Sequence, residues 1–158
     1  MDHSIKTGLY FGLTSGIITT MGLMVGLHSG THSDLVVLGG ILTIAVADAF
    51  SDALGIHMSE ESEDKHTAKE VWQATLTTFL SKFLFAMTFI IPILLFELNT
   101  AIIISAAWGL LALGILSYVI AKAEKKKSLI VIGEHLLIAV IVIIITHYLG
   151  DLVRRMFV

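Results

Sequence analysis

Hydrophobic residues run along the chain in five long blocks, at about 7–27, 35–57, 72–98, 101–121 and 129–149, separated by short polar or charged segments. A helix rises about 1.5 Å per residue, so about 20 apolar residues cross the hydrocarbon of a bilayer, and each block is long enough to do so. The pattern predicts an all-α polytopic membrane protein, with five transmembrane helices forming a single domain over 1–158. In the first block two glycine ladders recur at steps of four, Gly8-Gly12-Gly16 and Gly22-Gly26-Gly30, which lay a flat stripe on a helix for close packing. Thr14, Ser15, Thr19 and Thr20 lie between the ladders, with hydroxyls suited to backbone carbonyls or to a polar path. Ser33 or Asp34 is placed to cap the second helix, and Asn99 or Thr100 the fourth. Pro92 falls inside the third block, where neighbouring helices are expected to satisfy the carbonyl it frees. Glu134 and His135, at the start of the fifth block, read as a capping and interface pair.

Charges inside these blocks carry the chemistry. Asp48 and Asp52 interrupt the second block at i and i+4, hence on one face of its helix. Each costs about 2.5 to 3.5 kcal/mol near the bilayer centre, and groups that costly face a partner, a cavity or an ion. The pair therefore reads as a cation or proton site, or else as a structural pair neutralised by protonation or by a lysine. Lys82 is the candidate partner. If the first turns of the third helix project into water, its stem snorkels to the interface; if the span begins nearer Trp72, Lys82 lies at mid-depth and pairs with the acids. The first arrangement is the one expected, and with it a mild Lys82→Met variant. Beyond Asp52 the stripe continues through Gly55, Ser59 and Glu63, so a carboxylate path from water to the buried pair is sterically feasible.

Composition sharpens the class. The chain is 56% hydrophobic with no cysteine, which removes disulfides and thiolate metal sites and leaves carboxylate, imidazole, thioether and carbonyl ligands. A net charge of -3 without a basic, aromatic-laced patch speaks against nucleic acid. No nucleophile and base pair, phosphate loop or paired-histidine zinc motif suggests an enzyme. The N-terminus has no clear cleavage signature of a secretory leader. Five spans put the termini on opposite sides. With the N-terminus inside, Lys6, Lys65, Lys69, Lys122, Lys125, Lys126 and Lys127 are cytoplasmic against Arg154 and Arg155 outside. The segments 58–71 and 122–128 then face the cytoplasm, in a cell membrane or a vacuole-type membrane.

Gly12-Leu13-Thr14-Ser15-Gly16-Ile17-Ile18-Thr19-Thr20 with Gly22-Leu23 resembles the first-span signature of the vacuolar iron transporter family, Gly-x-Asn-Asp-Gly-Leu-Val-Ser/Thr-Thr. Ala47 to Asp52 is similar to its Ser-Met-Ala-x-Gly-Glu motif, Met58-Ser59-Glu60-Glu61 to its polar helix exit, and Phe79 to Phe96 to its proline-bearing third span. The ending Thr146-His147-Tyr148-Leu149-Gly150 resembles its last helix. There are departures. Ser15 stands where the family has aspartate, Asp48 where it has methionine and Asp52 where it has glutamate. The acidic helical domain that the family inserts between spans two and three is missing, with only Ser59 to Glu70 in its place.

The resemblance implies a homodimer in the lipid bilayer that exports Fe(II) or Mn(II) from the cytoplasm against protons, with no permanently bound cofactor. The site it implies has Asp48 and Asp52 as charged ligands, with Ser15 and Thr19 as neutral ones. Oxygen ligation of this kind suits Mg, Mn or Fe(II). Ser59, Glu60, Glu61 and Glu63 would form a weaker collecting surface at the cytoplasmic exit. The rival readings are a transporter or channel of the same fold for another cation or for protons, and a non-transporting scaffold whose acids Lys82 neutralises.

Overall fold

The computed structural model describes residues 3–63 and 65–157, and all regular structure among them is helical. In chain order the helices are α1 (His3–Thr31), α2 (Asp34–Ser62), α3 (Ala68–Thr88), α4 (Ile90–Leu95), α5 (Leu98–Ala123) and α6 (Ser128–Phe157). α3 and α4 together make one span, Ala68–Leu95, and with α1, α2, α5 and α6 they give five segments long and apolar enough to cross a membrane. The helices outrun the apolar blocks, because nothing in the flanking sequence breaks them and their polar ends can project into water. α2 opens on the predicted cap, with the Ser33 hydroxyl accepting from the Val36 N–H at 3.4 Å. α3 opens on a reciprocal box in which the Thr67 N–H donates to Glu70 at 2.8 Å and the Glu70 N–H donates to the Thr67 hydroxyl.

Two expectations need correcting here. α5 begins at Leu98, ahead of both Asn99 and Thr100, and has no side-chain cap. Asn99 is drawn elsewhere, its side-chain oxygen lying 2.9 Å from His28 Nε2. Glu134 does not cap α6 either: it is exposed on a helix that starts at Ser128, while His135 reaches across to Ser117 of α5 at 2.8 Å. The proline breaks the third span in two. Pro92 has no N–H for the carbonyl of Thr88 and its ring crowds that carbonyl, so α3 stops at Thr88 and the chain restarts as α4. Thr88 in turn is held by its own hydroxyl, which donates to the Phe85 carbonyl at 2.7 Å and accepts from Trp108 Nε1 at 3.0 Å.

α1 packs against α2, α3, α5 and α6, and its two glycine ladders serve two different neighbours. Gly8 and Gly12 bring it against the α3 backbone at Ala74 and Thr78, and Gly16 against Lys82. Gly22, Gly26 and Gly30 bring it against Val142, Thr146 and Gly150 of α6. Between the ladders Ile17, Met21, Met24 and Val25 join Val37 and Ile41 of α2, Phe89 and Leu113 in the buried apolar core. α6 keeps only Ala139 fully buried and turns Leu137, Ile138, Ile141, Ile144 and Ile145 outward. Lipid solvates such a face well, so contacts between helices rest on close packing and on hydrogen bonds. Ser117 to His135 is one such bond, and Ser29 to His147, at 2.6 Å, is another.

Candidate functional site

Lys82 is fully buried, 1% exposed, and among the described residues it ranks with Phe89 as one of the bulkiest side chains so enclosed. Lys82 lies near the middle of the Ala68–Leu95 span, and its buried ammonium is turned to the acids of α2 rather than to an end of the helix. The snorkelling arrangement is therefore overturned. Its Nζ stands 2.5 Å from Asp48 Oδ2 and 2.5 Å from Asp52 Oδ2, and donates to Ser15 Oγ at 2.8 Å. Gly16 makes this possible. A Cβ there would come within 3.1 Å of the Lys82 carbonyl oxygen and 3.3 Å of its Cγ, so any larger residue would push α1, and Ser15 with it, off α3.

The two carboxylates are not equivalent. Asp52 accepts a well-aligned hydrogen bond from Lys82, and its side chain is 18% exposed. Asp48 Oδ2 is equally near the ammonium, in direct ion-pair contact. Asp48 is also the more open of the two, at 28%, and it lines a groove of about 580 Å³ with Leu23, Leu27, Gly40, Thr43 and Ser51. One ammonium faces two carboxylates, so within these contacts one negative charge is left without a counterpart.

Of the residues singled out in the sequence, Ser15, Asp48, Asp52 and Lys82 come together. Thr19 does not join them: its hydroxyl donates to the Ser15 carbonyl of its own helix at 2.9 Å. Ser59, Glu61 and Glu63 are exposed at the far end of α2, as a collecting surface requires. Glu60 departs from that role, being 8% exposed and turned to His66, whose Nε2 is 3.5 Å away. Glu61 and His66 line a second cavity, of about 200 Å³, together with His57 and Trp72. No three histidine or acidic side chains among the described residues stand close enough to hold a metal ion together. Among the described residues, the acids in contact with Lys82 are Asp48 and Asp52.

Sequence reasoning placed His135 in an interface pair with Glu134 but named no partner on another helix for it, for His57 or for His147. His57, His135 and His147 each lie against a hydroxyl of another helix, at Thr75, Ser117 and Ser29. The serines on α5 do follow a signal, since Ser105, Gly109, Leu113, Ser117 and Ala121 repeat at steps of four and are all buried. Nothing local names the histidine that answers them.

The sequence model of the VIT family matches residues 9–71 and 56–151. The matches share residues 56–71, an overlap that covers the connection from α2 to α3. No curated protein and no solved structure was found to match the chain.

Proposed function

The chain belongs to the VIT family, the vacuolar iron transporters, and is a membrane metal-ion transporter in the general sense; we propose that it exports Fe(II) or Mn(II) from the cytoplasm in exchange for protons. The observation that carries this reading is the convergence of Asp48, Asp52 and Ser15 on one point, midway along the Ala68–Leu95 span, where a cation already sits, the Lys82 ammonium. All the converging donors are oxygens, which suits Mn(II) and Fe(II) over softer ions, and two carboxylates match the charge of a divalent cation. Protons compete with the ion for those same oxygens, which is the least that exchange requires. Water or a second copy of the chain completes the six ligands a hard divalent ion takes. The open groove beside Asp48 leaves room for either. The excess of lysine in the segments 58–71 and 122–128, with Lys6, supports a cytoplasmic N-terminus.

Mn(II) and Fe(II) flux into liposomes carrying the purified chain tests the reading. The double variant Asp48→Asn, Asp52→Asn should abolish metal-dependent proton movement while folding is kept, and parental flux in that variant would refute the site. Glu61→Gln or Glu63→Gln should retain transport, with an apparent affinity reduced at low salt, because exposed charges are screened by ions. One observation favours a different reading. The same Lys82 contacts that mark a cation position also neutralise the acids, as a non-transporting scaffold would need. Such a scaffold shows no flux with any ion and no stabilisation by metal.

A further inference from the structure

We propose that Lys82 is a tethered competitor for the transported ion: its ammonium and the metal occupy the position between Asp48, Asp52 and Ser15 in alternation, so that the ion enters only as Lys82 leaves. The proposal rests on the transport reading above and names the element that would make the site selective for divalent ions.

Geometry makes the two occupants exclusive. Nζ stands 2.5 Å from an oxygen of each carboxylate, and hard divalent ions sit about 2.0 to 2.6 Å from their oxygen ligands. An ion on the same oxygens would take almost the place of the nitrogen. Charge makes the exchange favourable for one class of ion. The ammonium brings one positive charge to two carboxylates; a monovalent ion would bring no more and has no reason to displace it, whereas a divalent ion compensates both. The order of events follows from the inequality of the acids. Asp48 lines the groove and is the more exposed of the two acids, so an arriving ion meets it first, while Asp52 and Ser15 still hold the ammonium. Gly16 closes α1 over the lysine stem, which leaves the Asp48 side as the way out. After the ion departs, Lys82 returns, and the empty protein never holds two bare carboxylates in the hydrocarbon.

Mn(II) binding to the purified full chain in detergent, by titration calorimetry, provides the test, together with amine-reactive labelling of Lys82 in the native protein. Lys82→Met should bind Mn(II) at least tenfold more tightly, and sodium or potassium, without effect on the native chain, should now compete with Mn(II). In the native chain saturating Mn(II) should raise labelling of Lys82 and sodium should not, a readout that does not depend on the variant folding. Equal or weaker Mn(II) binding by a folded Lys82→Met, or Lys82 labelling unmoved by Mn(II), overturns the proposal, provided the double variant Asp48→Asn, Asp52→Asn has lost Mn(II) binding. If that double variant binds Mn(II) as the native chain does, the site assignment itself falls and takes this proposal with it.

Discussion

The two halves of α1 use the same device for different ends. In the first half Gly8, Gly12 and Gly16 press the helix against α3, and that contact holds Ser15 and Lys82 together with the acids of α2. In the second half Gly22, Gly26 and Gly30 press it against α6, where the hydrogen bond across the seam joins a serine to a histidine. The closeness differs as well. A Cβ at Gly12 would stand 2.6 Å from the Thr78 carbonyl oxygen and 3.1 Å from its Cα, both fixed backbone atoms, whereas one at Gly26 would find nothing nearer than the Thr146 carbonyl at 3.3 Å. A ladder of glycines in a sequence announces a helix contact. What the contact carries is set by the facing helix: α3 brings Lys82 to the acids, while α6 brings Gly150, where a Cβ would run into the backbone of Gly26 and Gly30 as one at Gly12 would into that of Thr78.

The largest effect should come from the charged half. Lys82→Met leaves two carboxylates in the core without their cation, and breaking a buried pair from one side costs about 3 to 5 kcal/mol. Thermal unfolding in detergent without metal should show that loss, and adding Asp52→Asn to the same chain should recover most of it. Excess Mn(II) should also recover it, because a ligand that binds only the folded state stabilises that state. A Lys82→Met protein as stable as the native one would mean that the cluster contributes nothing to holding the first half of α1 in place.

Next in size is the packing under that cluster. Gly12→Ala forces α1 away from Thr78 and Ser81, and overpacking of this kind costs about 1 to 3 kcal/mol. The displacement should be felt at the site, since Ser15 lies one turn further along the same helix. Metal flux should therefore fall in step with stability. Unchanged flux in a destabilised Gly12→Ala chain would separate the glycine seam from the transport site.

How much of this was legible beforehand can be read from the same residues. Length and hydropathy marked all five spans, and the i, i+4 spacing put Asp48 and Asp52 on one face without any structure. Lys82 was not legible, for a physical reason. Its span, Ala68–Leu95, exceeds what a bilayer needs, so hydropathy allows two depths for the lysine. What decides between them is the start of α3 at the Thr67 and Glu70 box and the approach of Gly16 from another helix. Asn99 misled because its amide is an equally good partner for His28 as for a helix terminus. His135 and Ser117 could not be matched in advance, since each belongs to a helix whose rotation about its own axis only packing fixes.

The smallest effect should appear in the second half of α1, and it is the one that tells most about the difference between the halves. Gly26→Ala adds a methyl 3.3 Å from the Thr146 carbonyl oxygen and 3.5 Å from its Cβ, tight contacts that a shift of a few tenths of an ångström relieves. Against that strain stands the backbone gain, since alanine is favoured over glycine inside a helix by about 0.5 to 1 kcal/mol. The two nearly cancel, so unfolding in detergent should move by less than about 0.5 kcal/mol, the range of a substitution that disturbs nothing buried. Flux should be parental, because the α1–α6 seam holds none of the ligands. Gly150→Ala on the facing helix makes a stringent control: its methyl would run into the backbone of Gly26 and Gly30, so the same seam must register a clear loss when approached from that side. If Gly26→Ala instead destabilised the chain as much as Gly12→Ala, the two ladders would tolerate an added methyl on α1 equally badly, and the contrast drawn between the halves would fail.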